Sequence, residues 1–380
     1  MSFLFPRLTP KKRNGFLVLR IGKEEIDFLF FKKGGAGIEI LSYGSENISS
    51  FNVRQTLEKM FMHLPQKEIV GELIVTFQAH EFRAQLIGQT LIPSSSLHLL
   101  DLDKGEALSI ERDILARAER AFQKNIFYES GILPNEFSLR RVKILERRIN
   151  GYSVPKLEGF KSGAIEFSIL GMFLLESSFL PVEQFAKAHK INSVRVIHIA
   201  EALEAFTRKY HQKGIYLCVE EEKTQIAIQN EEHFMFLGTI PMGASNFTEF
   251  FADMLGMREA TARAFEEQYF NDGLSVAVQE KVQTFLLPEI QKFGTLVKKK
   301  ILEAKITLPE FFWVFGKGRS LGNLQSFFAQ DLLDDLPFSQ NPKMNFLMPK
   351  DVWEAKNFPG ANDPLNTMLC LFGAFAFNPR

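Results

Sequence analysis

The chain has 380 residues, enough for two lobes of roughly 150 to 200 residues each by the usual domain-size prior. Hydrophobic residues make up 46% and charged residues 24%, an ordinary globular balance that excludes long disorder. Lys plus Arg equals Asp plus Glu at 45 each, so the basic excess that a nucleic-acid partner demands is absent.

Two cysteines, Cys218 and Cys370, stand alone without a CxxC or a Cys/His cluster. That usage suits a reducing, cytoplasmic setting and gives zinc no site. The apolar stretches 167–180 and 365–377 fall short of the ~20 residues that cross a bilayer. Peripheral contact with the inner face of the cell membrane is the most the sequence supports. Phe3, Leu4 and Phe5 followed by Lys11, Lys12 and Arg13 could provide it, or form a solvated terminus.

Residues 16–21, 26–32 and 37–42 are short apolar and β-branched runs parted by Lys23-Glu24-Glu25 and Gly34-Gly35. Spacing this tight predicts three consecutive antiparallel strands. Residues 52–64 place Val53, Leu57, Met60, Phe61 and Leu64 on one helical face, and 72–78 returns to strand. From 80 to 189 the pattern changes. Pro93-Ser94-Ser95-Ser96 reads as a loop, and 109–122 as a helix burying Ile110, Ile114, Leu115, Ala118 and Phe122. Strand-like runs follow at 136–145, 151–154 and 164–175, then a helix over 180–188 with Pro181 in its first turn. A strand over 194–199 and a helix over 200–210 close the first half. His198, between apolar neighbours, reads as a hydrogen-bonded core residue.

The second half opens the same way. Strands at 214–219, 224–229 and 233–241 are parted by Glu220-Glu221-Glu222-Lys223 and Asn230-Glu231-Glu232. Ser245 is placed to cap a helix running to Gly256, with Phe247, Phe250, Phe251, Met254 and Leu255 facing inward. Helices follow over 258–269 and 277–304, the latter interrupted near Pro288. A strand at 311–315 runs into Gly316-Lys317-Gly318, and helices over 323–333 and 364–377 complete the chain. Three strands and a helix, met twice, form an internal repeat whose halves share a cleft.

Several passages resemble the FtsA family and, more distantly, PilM. Val18-Leu19-Arg20-Ile21-Gly22 is similar to a first phosphate motif written LDIGT. Residues 217–228 are similar to a second, DIGGGTTDIAI, and 238–245 with 250–269 to the run that follows it. Residues 314–321 resemble the adenosine motif, and 363–373 the closing helix. Gly151-Tyr152, Gly159 and Gly163-Ala164-Ile165-Glu166 resemble the FtsA insert. The resemblance implies an α/β, two-lobed actin-like ATPase (ribonuclease H-like) fold with an FtsA-type α+β insert. It divides the chain into a first lobe at 1–79, with 190–210 and 346–380, and an insert at 80–189. The second lobe takes 211–244 and 305–345, with a helical insert at 245–304.

In that fold two strand-end aspartates hold Mg²⁺, and glycines admit backbone N–H groups to phosphate. Here Arg20 and Cys218 stand at the aspartate positions and Glu220, Glu221 and Glu222 at the glycines. Each carboxylate repels a triphosphate by about 1 kcal/mol per charge pair at ~4 Å in water, and by more when shielded. A pseudo-ATPase without catalytic or metal residues is therefore expected. Its vestigial nucleotide positions are Arg20, Gly22, Thr224, Gly243, Gly316 and Gly318, and Arg20 is expected to meet Glu220–Glu222 across the cleft. ATP with Mg²⁺ is the alternative occupant.

The function implied is a non-enzymatic FtsA-like scaffold linking an FtsZ-like filament protein to the division machinery, with self-association through the first-lobe insert. Phe250, Phe251 and Met254 face either their own core or the filament protein's tail. The chain stops after its closing helix, where FtsA usually continues into a membrane-binding one. A PilM-like adaptor of type IV pilus assembly, partnered by pilus-assembly proteins, is the alternative. An ATP-binding enzyme of the actin/Hsp70/sugar-kinase fold is the rival of another class.

Overall fold

A computed structural model describes residues 15–34, 37–48, 52–65, 69–92, 101–130, 136–161, 164–231, 233–270, 273–317, 336–338, 342–353, 358, 360 and 366–377. The N-terminal 3–13 segment, Ser94–Ser96, Gly163, Gly318 and the expected helix over 323–333 lie outside the described residues.

The repeat read from the sequence is a repeat of sheets. In the first, β1 (Gly15–Ile21) pairs antiparallel with β2 (Glu25–Gly34), which pairs with β3 (Gly37–Asn47). On its other side β1 runs parallel to β4 (Val70–Phe77), itself parallel to β9 (Ser193–Val196), giving the order β3-β2-β1-β4-β9. The second sheet has the order β12-β11-β10-β13-β14 with the same pattern of directions. Its strands are β10 (Gly214–Val219), β11 (Thr224–Gln229), β12 (Phe234–Ile240), β13 (Phe311–Gly316) and β14 (Lys343–Phe346). Central strands buried on both faces read as continuous apolar runs, as Leu17-Val18-Leu19 and Ile215-Tyr216-Leu217 do.

Helix α1 (Val53–His63) follows β3, capped by Asn52, whose side chain accepts the Gln55 N–H at 3.0 Å. After β12 come α5 (Ala244–Leu255), α6 (Glu259–Phe270) and α7 (Val276–Leu302). Helix α4 (Ile199–Tyr210) and the closing α9 (Thr367–Phe377), which follows the short α8 (Pro349–Val352), pack on each other. Because α9 also touches β1, β2 and β13, one apolar cluster runs from Leu19 and Phe30 through Leu369 and Phe372 to Tyr216 and Phe315. The lobes thus share a core at the base of their cleft.

The insert is a separate antiparallel sheet in the order β5-β8-β6-β7. It comprises β5 (Phe82–Leu91), β6 (Phe137–Ile149), β7 (Tyr152–Ser153) and β8 (Ile165–Leu175), covered by α2 (Lys104–Ser130) through Ile114, Ala118 and Phe122. Gly171 makes that packing possible, since a Cβ there would stand 2.6 Å from the Phe122 ring.

Several local expectations change, among them the helix expected over 109–122, which spans Lys104–Ser130. Strand β5 is not expected from the sequence: beyond Phe82 its residues are half-buried or exposed, and Phe82–Leu91 shows no clean alternation of apolar and polar residues. Helix α3 (Glu176–Ala188) starts four residues earlier than expected, so Pro181 sits inside it, and its Val182 and Phe185 join the first lobe's core. Helix α7 runs through Pro288 unbroken. That proline faces solvent, where water can satisfy the carbonyl it leaves without a donor. Gly243, not Ser245, is the N-cap of α5.

Candidate functional site

The site lies where β1 and β10 end, at equivalent places in the two sheets. Each strand leads into a closed turn: Gly22 donates its N–H to the Glu25 carbonyl at 2.8 Å, and Glu220 to the Lys223 carbonyl at 2.9 Å. The turns belong to different lobes and face each other.

Arg20 stands one residue before the end of β1, with only 5% of its surface exposed. The β1–β2 register sets Asp27 directly opposite, and the guanidinium Nε donates to Asp27 Oδ2 at 2.6 Å. A second nitrogen reaches Glu25 Oε1 at 3.3 Å. Burial works against the guanidinium's charge, but the carboxylates of Asp27, Glu220 and Glu25 outweigh it and hold its pKa above the ordinary range. Its direct partners are therefore on its own hairpin. The expected pairing with Glu220–Glu222 is corrected in that respect: Glu220 acts on Arg20 only through its field.

Other residues bridge the cleft. Glu25 also meets Lys317, at the end of β13, at 2.7 Å, and Lys317 pairs with Glu221. Arg263 of α6 approaches Glu221 at 3.6 Å. At the rim, Lys23 meets Glu222 at 2.9 Å. Glu220 is buried at the centre and accepts two hydrogen bonds, one from the Ala79 N–H of the first lobe at 3.0 Å and one from Gln225 Nε2 at 2.6 Å. Burial pushes its carboxyl pKa up, while Arg20 and the two donors pull it back. The Cys218 thiol is pushed well up by burial and by Glu220, which leaves it a neutral packing group.

The remaining candidate positions serve the protein's own packing. A Cβ on Gly243 would lie 2.5 Å from the carbonyl oxygens of both Glu220 and Glu221. This close approach lets Ala244 and Ser245, in the first turn of α5, donate their N–H groups to those carbonyls at 2.9 and 2.8 Å. Helix-terminal donors that could meet an anion are thus satisfied internally. Gly316 holds φ at +83° with the Val219 carbonyl 2.5 Å from its virtual Cβ, a place for glycine alone. Gly22 abuts Gln78 Nε2, 2.9 Å from its own virtual Cβ, and Thr224 donates its hydroxyl to the Met242 carbonyl at 2.8 Å. Gly318 lies outside the described residues.

Of the residues expected to meet a partner, Phe251 is fully buried against Phe265 and Tyr269 and cannot receive one. Phe250 and Met254 are half-buried on the same core, and Leu255, expected inside, is exposed. Sequence reasoning missed Glu25, Asp27, Ala79 and Lys317. Asp27 was open to discovery, since it mirrors Arg20 about the Gly22–Glu25 turn. Among the described residues no group of three or more His, Cys, Asp or Glu side chains is arranged to hold a metal. No described helix is long and apolar enough to cross a membrane.

No family model matches the chain, and no curated protein matches its sequence. Its shape does find matches. A chain of the PilM-PilN type IV pilus biogenesis complex aligns over 97% of this chain and 100% of its own, with 13% identity and a TM-score of 0.63. The protein has the actin-like ATPase fold. Lower likenesses, both with TM-score 0.44, are the ethanolamine utilization protein EutJ from Carboxydothermus hydrogenoformans and MreB 5 of Spiroplasma citri bound to AMPPNP. The first has 10% identity and covers 97% of this chain and 92% of its own. The second has 11% identity and covers 96% of each. Nothing in these comparisons points to FtsA specifically, so the expected cell-division role has no support from them.

Proposed function

We infer that this actin-like protein is a non-hydrolysing adaptor of the PilM type, holding a partner of a type IV pilus-like assembly at the inner face of the cell membrane. The observation that carries the non-enzymatic half is the network Arg20–Glu25–Lys317–Glu221, which joins the lobes where a triphosphate would sit. The likeness to PilM over nearly the whole chain supports the adaptor half.

A magnesium-bound triphosphate fits these residues poorly. Arg20 and Cys218 replace the expected metal-holding carboxylates, Glu220 presents a buried acceptor, and the α5 donors are already taken. Phosphoryl transfer without a metal clamp would lose its main electrostatic support.

Thermal unfolding of the full chain with ATP and Mg²⁺ tests the first half. No shift in midpoint is expected, and a rise of several degrees would restore the ATP-binding enzyme. Pull-down with PilN-type and FtsZ-type peptides from the same genome tests the second. Capture of the PilN-type peptide is expected, and capture of the FtsZ-type peptide alone would return the chain to cell division.

A further inference from the structure

Helix α7 carries a surface that neither the cleft nor the adaptor reading uses. It spans Val276–Leu302, about 40 Å at the rise of an α-helix. One face, through Val282, Leu286, Ile290, Phe293, Val297 and Ile301, is buried in the second lobe's core. The opposite face presents Lys281, Phe285, Pro288, Lys292, Thr295, Lys299 and Leu302, at the three- and four-residue steps of a single stripe. In a chain of balanced charge this helix holds five lysines and two glutamates. Lys292 pairs with Glu289 at 3.3 Å and Lys300 with Glu303 at 2.7 Å. Among the described residues, Lys281 and Lys299 have no carboxylate partner.

Apolar side chains stand between these cations in the open. Phe285 is 53% exposed between Lys281 and Lys292, with Val278 and Leu302 towards the ends of the helix. Lysines that carry positive charge outward, with an aromatic ring between them, match an anionic lipid surface: the ring enters the headgroup layer and the ammonium groups meet phosphates. An acidic peptide would fit less well. Helix α5 and strand β12 pack on the inner face of α7, and Phe285 stands half open on its outer face, so among the described residues it does not sit in a groove. A flat bilayer needs none.

We propose that the outer stripe of α7 docks the second lobe on anionic membrane, with Lys281, Lys292 and Lys299 meeting headgroup phosphates and Phe285 entering the interface. The test is co-sedimentation of the full chain with vesicles of phosphatidylcholine alone and of phosphatidylcholine mixed with phosphatidylglycerol. Binding is expected only to the anionic vesicles and falls as salt rises. Combining Lys281→Glu, Lys292→Glu and Lys299→Glu should weaken it at least ~10-fold, from the favourable contribution of each cation near the surface. Phe285→Ser should remove the part that survives high salt. All four side chains are exposed, so an unchanged unfolding midpoint certifies each variant's fold. Wild-type chain left in the supernatant, equal binding to neutral vesicles, or a triple variant that sediments like the wild type would each overturn the proposal. Capture of an acidic protein by a chain that ignores vesicles would do the same.

Discussion

The turn after β1 and the turn after β10 hold equivalent places in two sheets of identical strand order, yet their charges differ in kind. The first-lobe turn balances Arg20 and Lys23 against Glu24 and Glu25, and the second-lobe turn is three glutamates and a lysine. The duplicated topology depends on apolar strands buried on both faces and is indifferent to charge at their tips. Opposed charges at facing tips let the protein hold its own lobes together. The cost is that buried charges must keep their partners, which makes the two turns unequal under mutation.

Arg20→Asp should have the largest effect. It removes the only cation that Asp27 touches among the described residues and adds a carboxylate beside Glu25 and Glu220. Breaking a buried charge pair costs about 3–5 kcal/mol, read as a lowered denaturant midpoint. A variant as stable as the wild type would mean that Arg20 contributes nothing to holding the two turns.

His198 offers a contrast within the first lobe's core, a buried titratable group with no charged partner. Its Nδ1 accepts the Ala200 N–H at 3.1 Å at the start of α4, and its ring packs edge-on against Phe82 and Phe236. Burial pushes its pKa down from 6.5 to about 3. The unfolded chain therefore binds a proton below pH 6.5 that the folded chain refuses until about 3. This stability is complete above 6.5 and lost as pH falls through that window, at up to ~1.4 kcal/mol per pH unit, or about 2 kcal/mol by roughly pH 5. His198→Asn keeps a capping side chain and removes the titration, so its stability should vary less with pH over the same range. Equal slopes for the two proteins would show that His198 does not govern acid sensitivity.

How far the sequence revealed this molecule depends on whether the deciding contact was local. Strands β10 and β11 match their expected bounds to the residue, because charged or polar turns bracket short runs rich in apolar and β-branched residues. His198 is buried as its apolar neighbours predicted. The α5 cap was misread because the helix's first N–H groups go to a turn more than twenty residues earlier, a tertiary satisfaction that no local pattern encodes. The site was half legible. Replacement of the expected aspartates by Arg20 and Cys218 announced an altered cleft, but pairing Arg20 with Asp27 required counting the hairpin register, and Lys317 required the third dimension.

Glu220→Gln is a smaller and more discriminating test of the second turn. The carboxylate accepts from both Ala79 and Gln225, whereas an amide must turn its NH₂ towards one of those donors. The loss should be about 1–2 kcal/mol, the scale of one buried hydrogen bond left unmade. Because burial raises the Glu220 pKa, the carboxyl's contribution is full below its ordinary 4.5 and declines as pH rises through the folded value. The difference between wild type and Glu220→Gln should therefore narrow as the pH is raised. A difference that widens would assign the effect to another group.

Lys23→Ala should have the least effect, and its smallness matters to the comparison. Lys23 and Glu222 join the same two lobes at 2.9 Å, yet they are 56% and 40% exposed at the rim. Solvent screens such a pair, and ordering two long side chains offsets most of what attraction remains. The expected result is an unfolding midpoint indistinguishable from wild type at physiological salt. If Lys23→Ala instead destabilised the protein as strongly as Arg20→Asp, the lobes would be held by the field at the mouth of the cleft, not by the deeper contacts of Glu220 with Ala79 and of Glu25 with Lys317. High salt would then separate the two accounts, since it weakens a rim field and leaves a dehydrated pair nearly untouched.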